Sequence, residues 1–268
     1  NYAKFGCSVS VAGDAALVGA YSDSPDSVSG AGAAYIYERN AGGTNAWGEV
    51  AKLTASDKAM TDIFGVSVSI AGNVAVVGAC WADRDGAADA GAAYVFERNA
   101  SGTNAWGQVA KLTAADGMAD DYFGGSVSVA GDVVLIGAGR AGPDGVPRAG
   151  AAYVFERHAG GTNTLGQVAK LTAADKSTMD IFGYSVSVDG DVAVVGASYA
   201  APDGVTDAGA AYVFERNVGG TNAWGQVAKL SAADKAENDG FGISVSVVGD
   251  VVLVGAYQAD PGGVTNAG

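Results

Sequence analysis

Histidine is almost missing from this chain: His158 stands alone among 268 residues, and cysteine is limited to Cys7 and Cys80. Tetrahedral zinc sites draw on several His or Cys ligands, so that class is excluded. Cations are also scarce, with 15 Lys and Arg against 29 Asp and Glu, a net charge of -14. Phosphate backbones are held by clustered cations, so neither nucleic acid nor an anionic membrane is an expected partner. An acidic surface keeps a protein soluble and can attract cations. No apolar run approaches the ~18 residues of a membrane helix, so membrane insertion is not expected. No segment sustains a 3.6-residue apolar period.

Small residues are plentiful. Hydrophobic residues reach 49%, with Ala and Val prominent, and there are 42 glycines. That composition suits short strands and tight turns. The chain is also one unit written repeatedly, at a step of 59 residues. A Phe-Gly pair opens each copy at Phe5, Phe64, Phe123, Phe182 and Phe241, and a Gly-Ala pair follows at Gly19, Gly78, Gly137, Gly196 and Gly255. Such a period means one supersecondary unit stacked many times. What recurs in every copy is architecture, so a singular site must lie where copies differ.

The copy from Phe64 shows the unit. Val66 to Ile70 alternates apolar and small polar residues, which predicts a strand. Gly72-Asn73, or Gly-Asp in the other copies, predicts a two-residue hairpin turn into a second strand, Val74 to Val77. A polar loop from Cys80 to Ala90 leads to a third strand, Gly91 to Arg98. A Gly- and Asn-containing loop then leads to a fourth, Trp106 to Leu112. Four antiparallel strands repeated radially make a β-propeller. The expected fold is therefore all-β, a single array with blades at 5–63, 64–122, 123–181 and 182–240 and a partial blade at 241–268. Strand one is expected nearest the axis and strand four outermost. The chain starts four residues before a repeat, which predicts a segment of a longer secreted protein. The partial blade leaves strand two, Val251 to Val254, with an open apolar edge, to be covered by continuing chain or by another chain.

Phe-Gly-x-Ser-Val-Ser-Val, then Val-Gly-Ala, then Gly-Ala-Ala-Tyr-Val-Phe-Glu-Arg resembles the FG-GAP repeat, along the whole chain. That family builds the propeller head of integrin α subunits and of many bacterial and algal surface proteins. The resemblance implies an extracellular or cell-surface adhesion or ligand-binding propeller. In integrins a calcium loop rich in Asp joins the first two strands. Here that link is only Gly-Asp or Gly-Asn, so the site does not carry over to Asp14, Asn73, Asp132, Asp191 or Asp250.

Calcium has one other candidate. Asp83, Asp85, Gly86 and Asp89 match the third, fifth, sixth and ninth positions of an Asp-rich calcium loop. Trp81 replaces the first ligand, and the alternative is a solvated Asp-Gly turn. A second acidic series recurs as Asp57/Asp62, Asp116/Asp121, Asp175/Asp180 and Asp234/Asp239. Paired carboxylates can serve acid-base chemistry, but four near-identical copies favour Asp accepting backbone N–H bonds. Ser8/Ser10, Ser67/Ser69 and Ser185/Ser187 have no repeating His to activate them and read as small polar residues permitting close blade packing. Trp47, Trp106 and Trp224 are possible sugar-stacking platforms, though Leu165 at the remaining position of the series argues for packing. No constellation of nucleophile, base and orienting acid emerges, so no enzyme activity is expected.

Cys7 and Cys80 occupy positions that do not repeat. Strict pairing about the Gly13-Asp14 turn places Cys7 opposite Ala20, and Cys80 lies one residue beyond the equivalent spot in the next blade. A disulfide would staple the first two blades in an oxidising setting. The alternative is two thiols packed as small hydrophobes. Asn99-Ala100-Ser101 is an N-glycosylation sequon in a loop. The expected function is adhesion, surface display or extracellular assembly through protein partners or self-association, with equivalent loops giving avidity. The rivals are a carbohydrate-binding, lectin-like propeller and a non-catalytic module of a larger hydrolase.

Overall fold

A computed structural model of the protein describes residues 3–161, 164–260 and 268. Its strands follow the repeat. The first copy contains β1 (Phe5–Ala12), β2 (Ala15–Ala20), β3 (Ala33–Arg39) and β4 (Trp47–Leu53). The second contains β5 (Ser67–Ala71), β6 (Val74–Ala79), β7 (Ala92–Arg98) and β8 (Trp106–Leu112). The third contains β9 (Phe123–Ala130), β10 (Val133–Ala138), β11 (Ala151–Arg157) and β12 (Leu165–Leu171). The fourth contains β13 (Ser185–Asp189), β14 (Val192–Ala197), β15 (Ala210–Arg216) and β16 (Trp224–Leu230), and β17 (Ser244–Val248) and β18 (Val251–Gly255) follow. Each copy orders its four strands consecutively in one antiparallel sheet, and β17 pairs with β18. The helical content among the described residues is three single 3-10 turns, at Pro25–Ser27, Pro143–Gly145 and Pro202–Gly204. This is an all-β fold of four-stranded antiparallel blades, the β-propeller type.

The turn chemistry is as the dipeptides require. Ala71 pairs with Val74 around Gly72-Asn73. Gly72 takes a positive φ of 56°, the first central position of a II′-type hairpin turn, where glycine carries no Cβ penalty.

The chain forms two compact units, residues 1–131 and 132–268. In the first, the innermost strands of successive copies pack on one another, β1 on β5 and β5 on β9. The core lies between sheets. Leu17, Ile36 and Leu53 of the first sheet share one buried cluster with Phe64, Val68, Ile70, Tyr94 and Phe96 of the second. Phe64 anchors it, 5.5 Å from the Tyr94 ring and 6.0 Å from the Phe96 ring, edge-on to the latter. The backbone of Phe64 also docks on the first copy, donating its N–H to Ala31 O at 2.9 Å. The Gly-Ala glycine answers the same need for closeness. A Cβ on Gly78 would lie 2.0 Å from the carbonyl oxygen of Gly124 in the third copy.

The second unit repeats this arrangement. β13 packs on β17, and Val194, Ala211 and Val213 share a core with Val247, Phe241 and Val245. β16 barely touches β12. Inner strands that touch and outer strands that splay place strand one innermost and strand four outermost. The apolar edge expected at strand two of the partial blade is present, with Val251 and Leu253 about 70% exposed.

Candidate functional site

Most groups with chemical potential are engaged in holding one blade to the next. Strand one is the free edge of each sheet and needs partners for its outward backbone groups. The serines supply them. Ser8 Oγ donates to Gly65 O at 2.8 Å, and Ser67 Oγ donates to Gly124 O at 2.8 Å. Ser10 Oγ accepts the N–H of Ile70 at 3.1 Å, and Ser69 Oγ accepts that of Val129 at 3.1 Å. In the second unit Ser185 and Ser187 do the same for Gly242 O and the Val247 N–H. The sequence reading of these serines as spacers missed this polar stitching. Their 59-residue recurrence on one face of an edge strand was the available signal.

The acidic series divides into two roles. Asp62 is 5% exposed and accepts the Ala59 N–H at 2.6 Å. Asp121, Asp180 and Asp239 accept the N–H groups of Met118, Ser177 and Ala236 in the same way. Burial pushes the Asp62 carboxyl up, the Ala59 N–H opposes this, and the nearby Asp57 charge adds to the rise. Asp57 instead reaches the next blade, 2.6 Å from Lys111 Nζ. Burial would raise its pKa, but the hydrogen-bonded Lys111 ammonium outweighs burial and holds it below the ordinary carboxylate value. Asp175 meets Lys229 and accepts from Tyr212 Oη at 3.0 Å in the second unit. Burial and then the adjacent carboxylate push the Tyr94 and Tyr212 phenols far up.

The tryptophans are not open platforms. Arg98 lies over Trp106 at 5.5 Å, Arg216 over Trp224 at 5.2 Å and Arg39 over Trp47 at 5.5 Å. Trp106 and Trp224 are buried. The same arginines tie blades together: Arg98 pairs with Glu38, and Arg216 pairs with Glu156 at 3.0 Å. Arg39, Arg157 and Arg216 also reach the turn carboxylates Asp14, Asp132 and Asp191.

The candidate calcium loop has an architectural origin. Asp26, Asp144 and Asp203 pair with Lys58, Lys176 and Lys235 at 2.9–3.0 Å. Asp85 is the equivalent of these aspartates, but the lysine position is Gly117 in this copy. Arg84 takes over, donating to Ala114 O at 2.5 Å and lying 3.5 Å from Asp85. Asp83 Oδ1 accepts the Asp89 N–H at 3.1 Å. No group of three acidic, His or Cys side chains suited to a metal occurs among the described residues, so Asp83, Asp85 and Asp89 are not gathered into one.

Cys7 and Cys80 are not bridged to each other. The pairing of β1 slips after Val9, so that Phe5 rather than Cys7 stands opposite Ala20. Cys7 Sγ lies 3.4 Å from Gly65 O in the next blade. Cys80 faces forward too, its Cβ about 4.0 Å from where a Cβ on Gly125 would stand. Asn99 is exposed, and its Oδ1 accepts the Asn104 N–H at 2.7 Å. Asn40 and Asn217 make the same loop bond, so this asparagine has a structural use with or without a sequon.

In each unit, large apolar side chains are exposed where the loop after strand two meets the link into the next copy. Thr61 and Ile63 donate to Ser29 O and Gly30 O, and Asp120 and Tyr122 to Ala88 O and Asp89 O. These loops expose Met60, Trp81 and Met118 in the first unit and Met179, Tyr184 and Tyr199 in the second. Each of the chain's three methionines is thus exposed there.

The FG-GAP repeat matches the chain at residues 1–37, 47–96, 106–155, 165–214 and 224–268. Three of these segments, 47–96, 106–155 and 165–214, begin at the outer strand of one sheet and run into the third strand of the next. A search of curated proteins returns no match. Repeat length, blade topology and the Phe-Gly and Gly-Ala contacts agree with these segments, and the chain belongs to the FG-GAP repeat family.

Proposed function

We propose that this propeller is a non-catalytic, extracellular binding module that makes adhesive or assembly contacts with proteins through its rim loops. The exposed rim methionines and Trp81 carry the reading, because large exposed apolar side chains on variable loops of a rigid scaffold suit an interface. The serines, arginines and acidic pairs support it from the other side, since they are occupied in joining blades. Equivalent loops repeated along the array provide weak contacts that add through avidity. No helix among the described residues is long and apolar enough to cross a membrane. The lectin-like alternative loses the tryptophans as its platforms, because arginine lies over them.

Sedimentation velocity and negative-stain micrographs of the purified chain test the proposal. Concentration-dependent assembly is expected, and replacement of Met60, Trp81 and Met118 by Asp should abolish it without changing the melting temperature. A parent chain that neither self-associates nor adheres to extracellular protein coats, or a triple variant that behaves like the parent, would contradict it.

A further inference from the structure

The first blade departs from the later ones around its backward face, the face that in the second blade packs on the preceding copy. Asp23 stands where they carry Ala82, Ala141 and Ala200, Tyr37 where they carry Phe96, Phe155 and Phe214, and Glu49 where they carry Gln108, Gln167 and Gln226. In the second blade these outer groups reach backward: Gln108 accepts the Ser56 N–H at 2.9 Å, and Lys111 lies 2.6 Å from Asp57. In the first blade they are satisfied at home. Tyr35 Oη donates to Asp23 at 2.6 Å, Lys52 meets Asp23 at 2.8 Å, and Tyr37 Oη donates to Glu49 at 3.3 Å. The outer half of this face therefore needs no neighbour. Its inner half does, because Phe5, Val9 and Val11 are each more than half exposed while Phe64, Val68 and Ile70 are buried. A body that covers only the inner strands would complete it.

The pair β17–β18 is such a body. Leu253 is 71% exposed, whereas Leu17, Val76, Leu135 and Val194 at the same position are fully buried. Ser244 and Ser246 are also exposed. They occupy the positions of Ser8 and Ser10, which bond Gly65 O and the Ile70 N–H of the following copy. Ser244, Ser246 and Leu253 line one groove. The first blade holds the matching groups, since Gly6 and Val11 occupy the positions of Gly65 and Ile70. The chain thus carries both sides of a junction that it builds repeatedly between its own copies.

We propose that a second molecule of this chain docks here head to tail, its β17–β18 pair on the backward face of the first blade. Ser244 Oγ donates to Gly6 O, Ser246 Oγ accepts the Val11 N–H, and Leu253 packs on Val9 and Val11. Such a joint is heterologous, so each docked molecule leaves one end free for the next. The inference rests on the assembly reading above and names one partner for it, with rim contacts between neighbouring molecules adding to the joint through avidity.

Sedimentation velocity on Val9→Asp and Leu253→Asp tests it, each substitution placing an unpaired charge in an apolar joint. Both side chains are exposed in the isolated chain, so melting temperatures should match the parent. Each variant alone is expected to associate at least tenfold more weakly than the parent. An equimolar mixture retains one intact joint per pair and should give dimers and nothing larger. Should either variant lose its fold, Val11→Asp and Val251→Asp replace them. A monomeric parent, end variants that assemble like the parent, dimers in either variant alone, or a mixture without dimers would overturn the proposal. A variant at Met60, Trp81 and Met118 that assembles like the parent would defeat the rim reading instead, so the two failures are distinct.

Discussion

The first and second blades have nearly the same sequence and opposite surroundings. Phe5 is 55% exposed, whereas Phe64 at the equivalent position is fully buried. Val9 and Val11 are about two-thirds exposed, while Val68 and Ile70 are below 10%. A blade therefore owns only half of its core, and the neighbouring sheet supplies the rest. This is the nearest-neighbour energetics of stacked repeats. The polar groups tell the same story with one exchange. Lys111 in the second blade uses Asp57 of the first. Tyr35 and Lys52 in the first blade use Asp23 from their own loop, at 2.6 and 2.8 Å. The later copies have Ala82, Ala141 and Ala200 where the first has Asp23.

The comparison breaks most visibly at the Phe-Gly anchor. Phe64→Ala should cost about 3–5 kcal/mol, the usual range for a fully buried aromatic. Phe5→Ala should cost about 1 kcal/mol or less, as exposed substitutions do. Paired urea denaturation curves check this, and equal costs would show that the blade's core is its own.

The carboxylate exchange sharpens the same contrast. Asp57→Ala should cost about 0.5–1 kcal/mol, modest because the pair is partly exposed. Adding Ala82→Asp to that variant should restore the loss, by giving the second blade the arrangement of the first. A double variant no more stable than Asp57→Ala would show that Asp23 and Asp57 are not equivalent.

The smallest expected effect concerns pH. The Asp62 pKa is raised in the folded state, so the wild type gains stability as pH falls through that raised value. Asp57 is lowered, and its contribution is lost as pH falls below the ordinary carboxylate range. Asp62→Asn keeps an acceptor for the Ala59 N–H and removes the buried charge. Its stability advantage over wild type should be greatest near pH 7 and shrink toward pH 4. An advantage that grows on acidification would reverse the assignment.

Much of this was legible in one sequence because the architecture is written five times. The second copy's fourth strand matches its predicted limits, Trp106–Leu112, and the third begins one residue later than expected, at Ala92. The bland reading of Asp62 and its equivalents as acceptors of backbone N–H groups also agrees with the structure. What was not legible depends on atoms from two copies meeting. A serine pattern does not say that Ser10 Oγ reaches the Ile70 N–H. Trp106 does not announce that Arg98 covers it. Cys7 was placed by ideal pairing, and the irregularity between Phe5 and Val9 moves it.

The most direct test of blades completed by their neighbours is residue-resolved hydrogen exchange in Ser10→Ala. Ser10 belongs to the first blade, and the amide it accepts, Ile70 N–H, lies on the outward edge of the second. The account requires faster exchange at Ile70 in the variant, with Val129, held by Ser69, unchanged. Unaltered protection at Ile70, or an equal loss at both amides, would contradict it.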